Sequence, residues 1–189
     1  MRIAGIYSFN HGEGVVNRDY ADLRKEVESA ISKIDALACK TKESEEKTMP
    51  GDMLYSPVAL NEAFMAQLGP LDWKSVRVKC EYPTQFYMKD YQPKKLRKGA
   101  FREIDFVKRK LGLEVPSAES SPPLSSVAAK MTIFSNLGFI DTGIEVVPVK
   151  AMADEMSSGV SYFEQFVWDL EKRGNADIDI PVLIFGIDV

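Results

Sequence analysis

Apolar and polar positions recur along this chain in two rhythms, and the rhythm assigns most of its elements. RIAGIYS, residues 2–8, is a short β-prone run. In NRDYADLRKEVESAISKI, residues 17–34, Leu23, Val27, Ile31 and Ile34 return at helical spacing, and Asn17 is placed to cap the start. DALACKTKESEEKTMPG, residues 35–51, is polar and closes on Pro50 and Gly51, which reads as a helix end running into an exposed loop. A second helix opens at Ser56 and Pro57, with Leu60, Phe64 and Leu68 as its buried side.

From Trp73 to Lys98 the chain is aromatic and basic with interspersed prolines, which suits a strand followed by an irregular excursion. IDFV and LGLEV, separated by KRK, predict two neighbouring strands, with Asp105 and Glu114 at their ends. SAESSPPLSS, residues 117–126, is a break, and VAAKMTIFSNLGF has the spacing of a helix closed by Gly138. GIEVVPVK then reads as a strand, SYFEQFVWDLEKRG as a helix that stops at Gly174, and IPVLIFGIDV as a buried final strand. Tyr162, Phe166 and Trp168 are expected in the core rather than on a base-stacking surface. Strands alternating with helices imply an α/β chain of one domain, residues 1–189, with a central mixed β-sheet flanked by helices.

Composition narrows the chemistry. An apolar fraction of 45% in 189 residues is enough for one substantial core. No apolar run is long enough to span a membrane, and residues 1–14 lack a basic stretch followed by an apolar run and cleavage site, so a soluble intracellular protein is expected. Cys39 and Cys80 belong to no CxxC and His11 is the single histidine, which argues against a zinc site or a histidine-based triad. The net charge of −4 speaks against a general nucleic-acid coat protein. Yet nine of the 24 Lys and Arg residues fall between Lys89 and Lys110, a local excess able to neutralise phosphates or simply to solvate a loop.

The pair with candidate chemistry is Asp105 and Glu114. Phosphodiester cleavage needs a hard divalent cation on oxygen ligands, and two carboxylates from adjacent strands are the minimum protein contribution. The strand-turn-strand setting can bring these two to one edge of the sheet, although 28 acidic residues make such a spacing weak by itself.

Five blocks add to that reading: KTKESEEKT (residues 40–48), LYSPVALNEAF (54–64), DFVKRKLGLEV (105–115), GIEVVPVK (143–150) and MSSGVSYFE (156–164). In this order they resemble successive blocks of the BglII/BstYI-type type II restriction endonucleases, a branch of the PD-(D/E)XK nucleases, and look most like those of the BstYI enzyme. The resemblance implies a restriction-endonuclease-like fold and a cytoplasmic bacterial or archaeal homodimer that cuts double-stranded DNA with Mg²⁺ at a short GATC-centred palindrome. It implies Asp105 and Glu114 as catalytic metal ligands and the backbone carbonyl of Val115 as a third. It also places Ser157 and Ser158 in a loop that reads base edges, and Lys40, Lys42 and Lys47 near phosphates. From the residues alone, SSG would be a helix-capping turn and KTKESEEKT a solvated face.

The chain departs from the family pattern at two points. Pro116 stands where the family has Gln, and most relatives Lys; Glu119 stands where the family has a base-reading lysine. Either Lys108 or Lys110 supplies the missing positive group from the adjacent turn and the nuclease is active, or the chain is a catalytically degenerate DNA-binding dimer. In a third reading the altered 116–126 segment removes DNA binding altogether.

Overall fold

The computed structural model describes residues 1–189 except 46, 48, 84, 92–99, 117–122, 158 and 174–179; for 123–128 and 173 it describes the backbone alone. In chain order the elements are β1 (Arg2–Phe9), α1 (Gly12–Asp19), α2 (Ala21–Lys33), β2 (Lys42–Glu43), β3 (Met53–Leu54), α3 (Pro57–Leu68), β4 (Lys74–Lys79), β5 (Phe101–Lys108), β6 (Leu111–Glu114), α4 (Pro123–Asn136), β7 (Thr142–Pro148), α5 (Lys150–Ala153), α6 (Phe163–Arg173) and β8 (Val182–Asp188). Six strands form one mixed sheet in the order β1-β8-β7-β6-β5-β4, and β2 pairs with β3 in a small separate ribbon. The pairs β6–β7 and β7–β8 are parallel, whereas β1–β8, β4–β5 and β5–β6 are antiparallel.

Parallel strands covered on both faces read as near-continuous apolar runs. Every residue of β6 and β7 is buried, and so is every residue of β8 up to its last. One face packs Leu111, Leu113, Ile144, Val146, Leu183 and Phe185 against α1, α2 and α3. The opposite face carries Ile104, Val182 and Ile184 against Met131 and Phe134 of α4 and Phe166 and Leu170 of α6. Alternation along β6 and β7 therefore turns Glu114 and Glu145 toward the α4 side.

Several expectations are corrected. The helix anticipated from Asn17 is two helices that break at Tyr20, and Asn17 lies inside α1, where its side chain accepts a bond from Arg24 Nη1 at 2.6 Å instead of capping. The polar stretch after α2 is not wholly loop, since β2 and β3 pair across it. Asp105 sits within β5 rather than at its end, because the strand begins at Phe101. Phe166 is core, but Trp168 is 61% exposed. The proposed stop at Gly174 and part of the basic stretch, 92–99, lie outside the described residues. Ser56 does cap α3, its Oγ accepting from Ala59 N at 3.3 Å.

Candidate active site

The β5–β6 hairpin carries the first two acidic residues. Its two-residue turn, Arg109 and Lys110, has both φ angles positive, at 49° and 73°, the backbone of a type I′ turn made without glycine. Side chains hold it in place. Lys108 reaches Glu26 of α2 at 2.8 Å, Arg109 pairs with Asp22 at 2.7 Å, and Lys110 donates to the carbonyl of Gly138. Lys108 and Lys110 are thus engaged in anchoring the hairpin to α2 and to the end of α4. This corrects the expectation that one of them supplies the positive group beside the carboxylates.

Asp105 Oδ2 accepts a hydrogen bond from Val115 N at 3.1 Å, so β5 and the chain leaving β6 are tied together at the acidic pair. Pro116 follows, buried and without an N–H to extend the ladder. Glu114 is 3% exposed, and its parallel neighbour in register is Glu145, at 4%. Two in-register side chains on one face are close neighbours. A lysine meets them from above: Lys130 Nζ lies 2.8 Å from Glu114 Oε2.

The seat of α4 explains that contact. A Cβ on Gly143 would lie 2.3 Å from Met131 Sδ, so the absent side chain lets the helix settle onto β7 and brings down Lys130, the preceding residue. Gly138, at φ 77°, ends the helix, with Phe139 N bonding back to the Phe134 carbonyl at 2.9 Å.

Electrostatically the cluster is short of positive charge. Burial, then the Asp105 charge, pushes the Glu114 carboxyl up to about 8 against the opposing pull of Lys130. Burial and the adjacent Glu114 hold Glu145 well above the ordinary carboxylate range. Burial alone would lower Lys130, but the Glu114 carboxylate outweighs it and the ammonium is held above its usual value. Glu114 Oε1 and Glu145 Oε2 are buried without a hydrogen-bond partner among the described residues. Buried, unmatched carboxylate oxygens facing an excess of negative charge fit a hard divalent cation. Among the described residues, no three His, Cys, Asp or Glu side chains converge closely enough to cage an ion by themselves. Mg²⁺ does not require that, since it takes one or two carboxylates and keeps waters.

The residues expected at DNA gather in a second place. Lys42 Nζ donates to Ser157 Oγ, and Lys40 Nζ pairs with Glu155 at 2.6 Å, so the β2–β3 ribbon is fastened to the turn after α5. Tyr55 N also donates to the Glu155 carbonyl at 2.9 Å. Lys47 is exposed in the ribbon's connection, while Ser158 and Glu119 lie outside the described residues. Sequence reasoning missed Lys130 and Glu145. Both had a signal, each being a lone charge inside an apolar run, VAAKMTIF and GIEVVPV. Cys39 and Cys80 are free thiols, the first buried.

A family model described as restriction endonuclease BglII/BglIII matches residues 4–187. The chain belongs to that family. It is accordingly a type II restriction endonuclease, a site-specific nuclease of restriction systems. Among solved structures, this BglII-family chain is similar to restriction endonuclease BglII complexed with a DNA 16-mer, at 22% identity and TM-score 0.73, covering 100% of this chain and 79% of that one. It is also similar to free BglII, at 20% identity and TM-score 0.64, covering 100% and 80%. These likenesses establish the restriction-endonuclease fold. No curated protein matches. No helix among the described residues is long and apolar enough to cross a membrane.

Proposed function

We propose that this family member cuts double-stranded DNA with Mg²⁺ held by Asp105, Glu114 and the main-chain carbonyl of Val115, acting as a homodimer on a short palindrome with a GATC centre. The observation that carries the reading is the pairing of Asp105 with Val115 N at 3.1 Å beside Glu114, whose Oε1 is buried and has no hydrogen-bond partner among the described residues. That oxygen is inside the fold, yet none of the described residues donates a hydrogen bond to it. When bound, the cation would neutralise charge on the phosphodiester and activate the attacking water.

The chain's own residues contribute position. Adjacent strands β5 and β6 hold the two carboxylates, and rigid strands place groups more tightly than loops do. Support for DNA as partner comes from the BglII structure complexed with a DNA 16-mer. Lys40, Lys42 and Lys47 would meet phosphates, while Ser157 and Ser158 would meet base edges. A two-fold protein on a two-fold site is the expected pairing for a palindrome.

The test is incubation of purified protein with unmethylated phage DNA and Mg²⁺ at low salt, beside an Asp105→Ala control. Discrete fragments absent from the control are expected, and their ends would map the site. Intact DNA under both Mg²⁺ and Mn²⁺ would instead support the catalytically degenerate DNA-binding dimer, the reading that Pro116 invites.

A further inference from the structure

We propose that Lys130 is the basic member of the cleavage site, a positioning residue for Glu114 that is brought in by helix α4 because strand β6 gives way to Pro116. The inference rests on the metal-dependent reading above and assigns the residue that reading left open.

The strand route to a cation is closed. Pro116 has no ammonium or amide side chain, and the two lysines of the adjacent turn are bound to Glu26 and to the Gly138 carbonyl. The helix route is open. Lys130 lies one residue before the buried Met131 and four before the buried Phe134, so it occupies the face of α4 that packs on the sheet. Its side chain is 12% exposed. A lysine on a packed helix usually extends its stem until the charge reaches water; this one ends on a carboxylate that is itself 3% exposed.

The bond is also selective between the two oxygens of Glu114. Lys130 takes Oε2 at 2.8 Å, and among the described residues Oε1 has no hydrogen-bond partner. Lys130 therefore fixes the plane of the carboxylate and leaves one oxygen for a ligand. Glu145, in register with Glu114, brings a second buried carboxyl to the same face, so the Lys130 ammonium stands against an acidic cluster rather than a single side chain.

The experiment compares wild type with Lys130→Met, Lys130→Gln and Lys130→Arg in the full chain. Folding is followed by circular dichroism and thermal melting, Ca²⁺ binding without DNA by calorimetry, and cleavage by single-turnover rates across a Mg²⁺ titration. Lys130→Gln keeps a hydrogen-bond donor for Glu114 and carries the test if the methionine variant does not fold.

For the folded neutral variants the expected result is Ca²⁺ binding at least as tight as wild type, since a positive charge has been removed. Their cleavage rate at saturating Mg²⁺ should nonetheless fall by about 100-fold, the scale of losing one preorganised charge or donor at a reacting centre. Lys130→Arg should recover most of it. A merely structural lysine would lower the melting temperature and leave the saturated rate intact, so a folded Lys130→Gln protein cleaving within about threefold of wild type overturns the proposal. Wild-type protein that is folded but neither binds Ca²⁺ nor cleaves would sink the metal reading itself, and this inference with it.

Discussion

Two ion pairs in this molecule use the same chemistry under opposite conditions. Lys130 and Glu114 meet at 2.8 Å with side chains 12% and 3% exposed, whereas Lys40 and Glu155 meet at 2.6 Å with side chains 31% and 51% exposed. Water and salt screen the second pair, so it can form and open at little cost. The first has been taken out of water, and desolvation makes each partner depend on the other. The family's two tasks divide along this line: a buried, stiff acidic cluster for the proposed chemistry, and an exposed ribbon and turn for the proposed contact with DNA.

The largest effect should come from the buried side. Asp105→Ala should remove cleavage to below detection on a gel while leaving DNA retention in Ca²⁺ nearly unchanged; equal loss of both would mean that Asp105 is needed for the fold rather than for the ion. Next, Lys130→Ala removes the buried partner of Glu114 and, measured above about pH 8 where that carboxyl is ionised, should lower unfolding free energy by roughly 3–5 kcal/mol, read from urea denaturation. Lys40→Ala, measured in the same way, should give no resolvable change, and a comparable loss there would erase the contrast between the two pairs.

A pH experiment sharpens the same contrast. Burial lifts Glu114 from its usual 4.5 to about 8, so in the metal-free fold it holds a proton that the unfolded chain has released across that interval. Stability contributed this way is full below about 4.5 and is lost as pH rises through about 8. Melting temperature in chelator should therefore fall over this window, and Glu145→Gln, which removes the adjacent carboxylate, should flatten the fall. Saturating Mg²⁺ should oppose it by stabilising the ionised form. A melting temperature independent of pH in chelator would contradict the electrostatic account of the cluster.

The smallest effect on chemistry belongs to the exposed ribbon. Replacing Lys40, Lys42 and Lys47 together by Ala should weaken DNA binding at low salt and reduce the slope of log affinity against log salt by about 0.9 for each phosphate that is no longer neutralised. The single-turnover cleavage rate at saturating protein should stay as it was. An unchanged salt slope would place the phosphate-binding lysines elsewhere, with the basic stretch before β5 as the next candidate.

Much of this was legible in one dimension because it depends on local periodicity. The apolar runs of β6, β7 and β8, the helical stripe of Leu60, Phe64 and Leu68, and the Ser56–Pro57 start of α3 each announce themselves within a few residues. Errors fell where a local signal was overruled by a distant partner. Asn17 has the chemistry of a helix cap, but Arg24 takes its side chain. Trp168 shares the apolar character of its neighbours, but the helix turns it to the outside.

The sequence by itself determined the α/β architecture and the candidacy of Asp105 and Glu114, because strand and helix periods and a strand-turn-strand spacing are properties of neighbours along the chain, and it carried the family through the resemblance of five ordered blocks. Only the tertiary structure decided which cation stands beside those carboxylates. Lys108 and Lys110 were nearer in sequence, yet the hairpin points them to Glu26 and Gly138, while Gly143 lets α4 descend far enough for Lys130 to reach Glu114. It likewise set Glu145 beside Glu114, since parallel register is established between residues far apart in the chain and no local pattern encodes it.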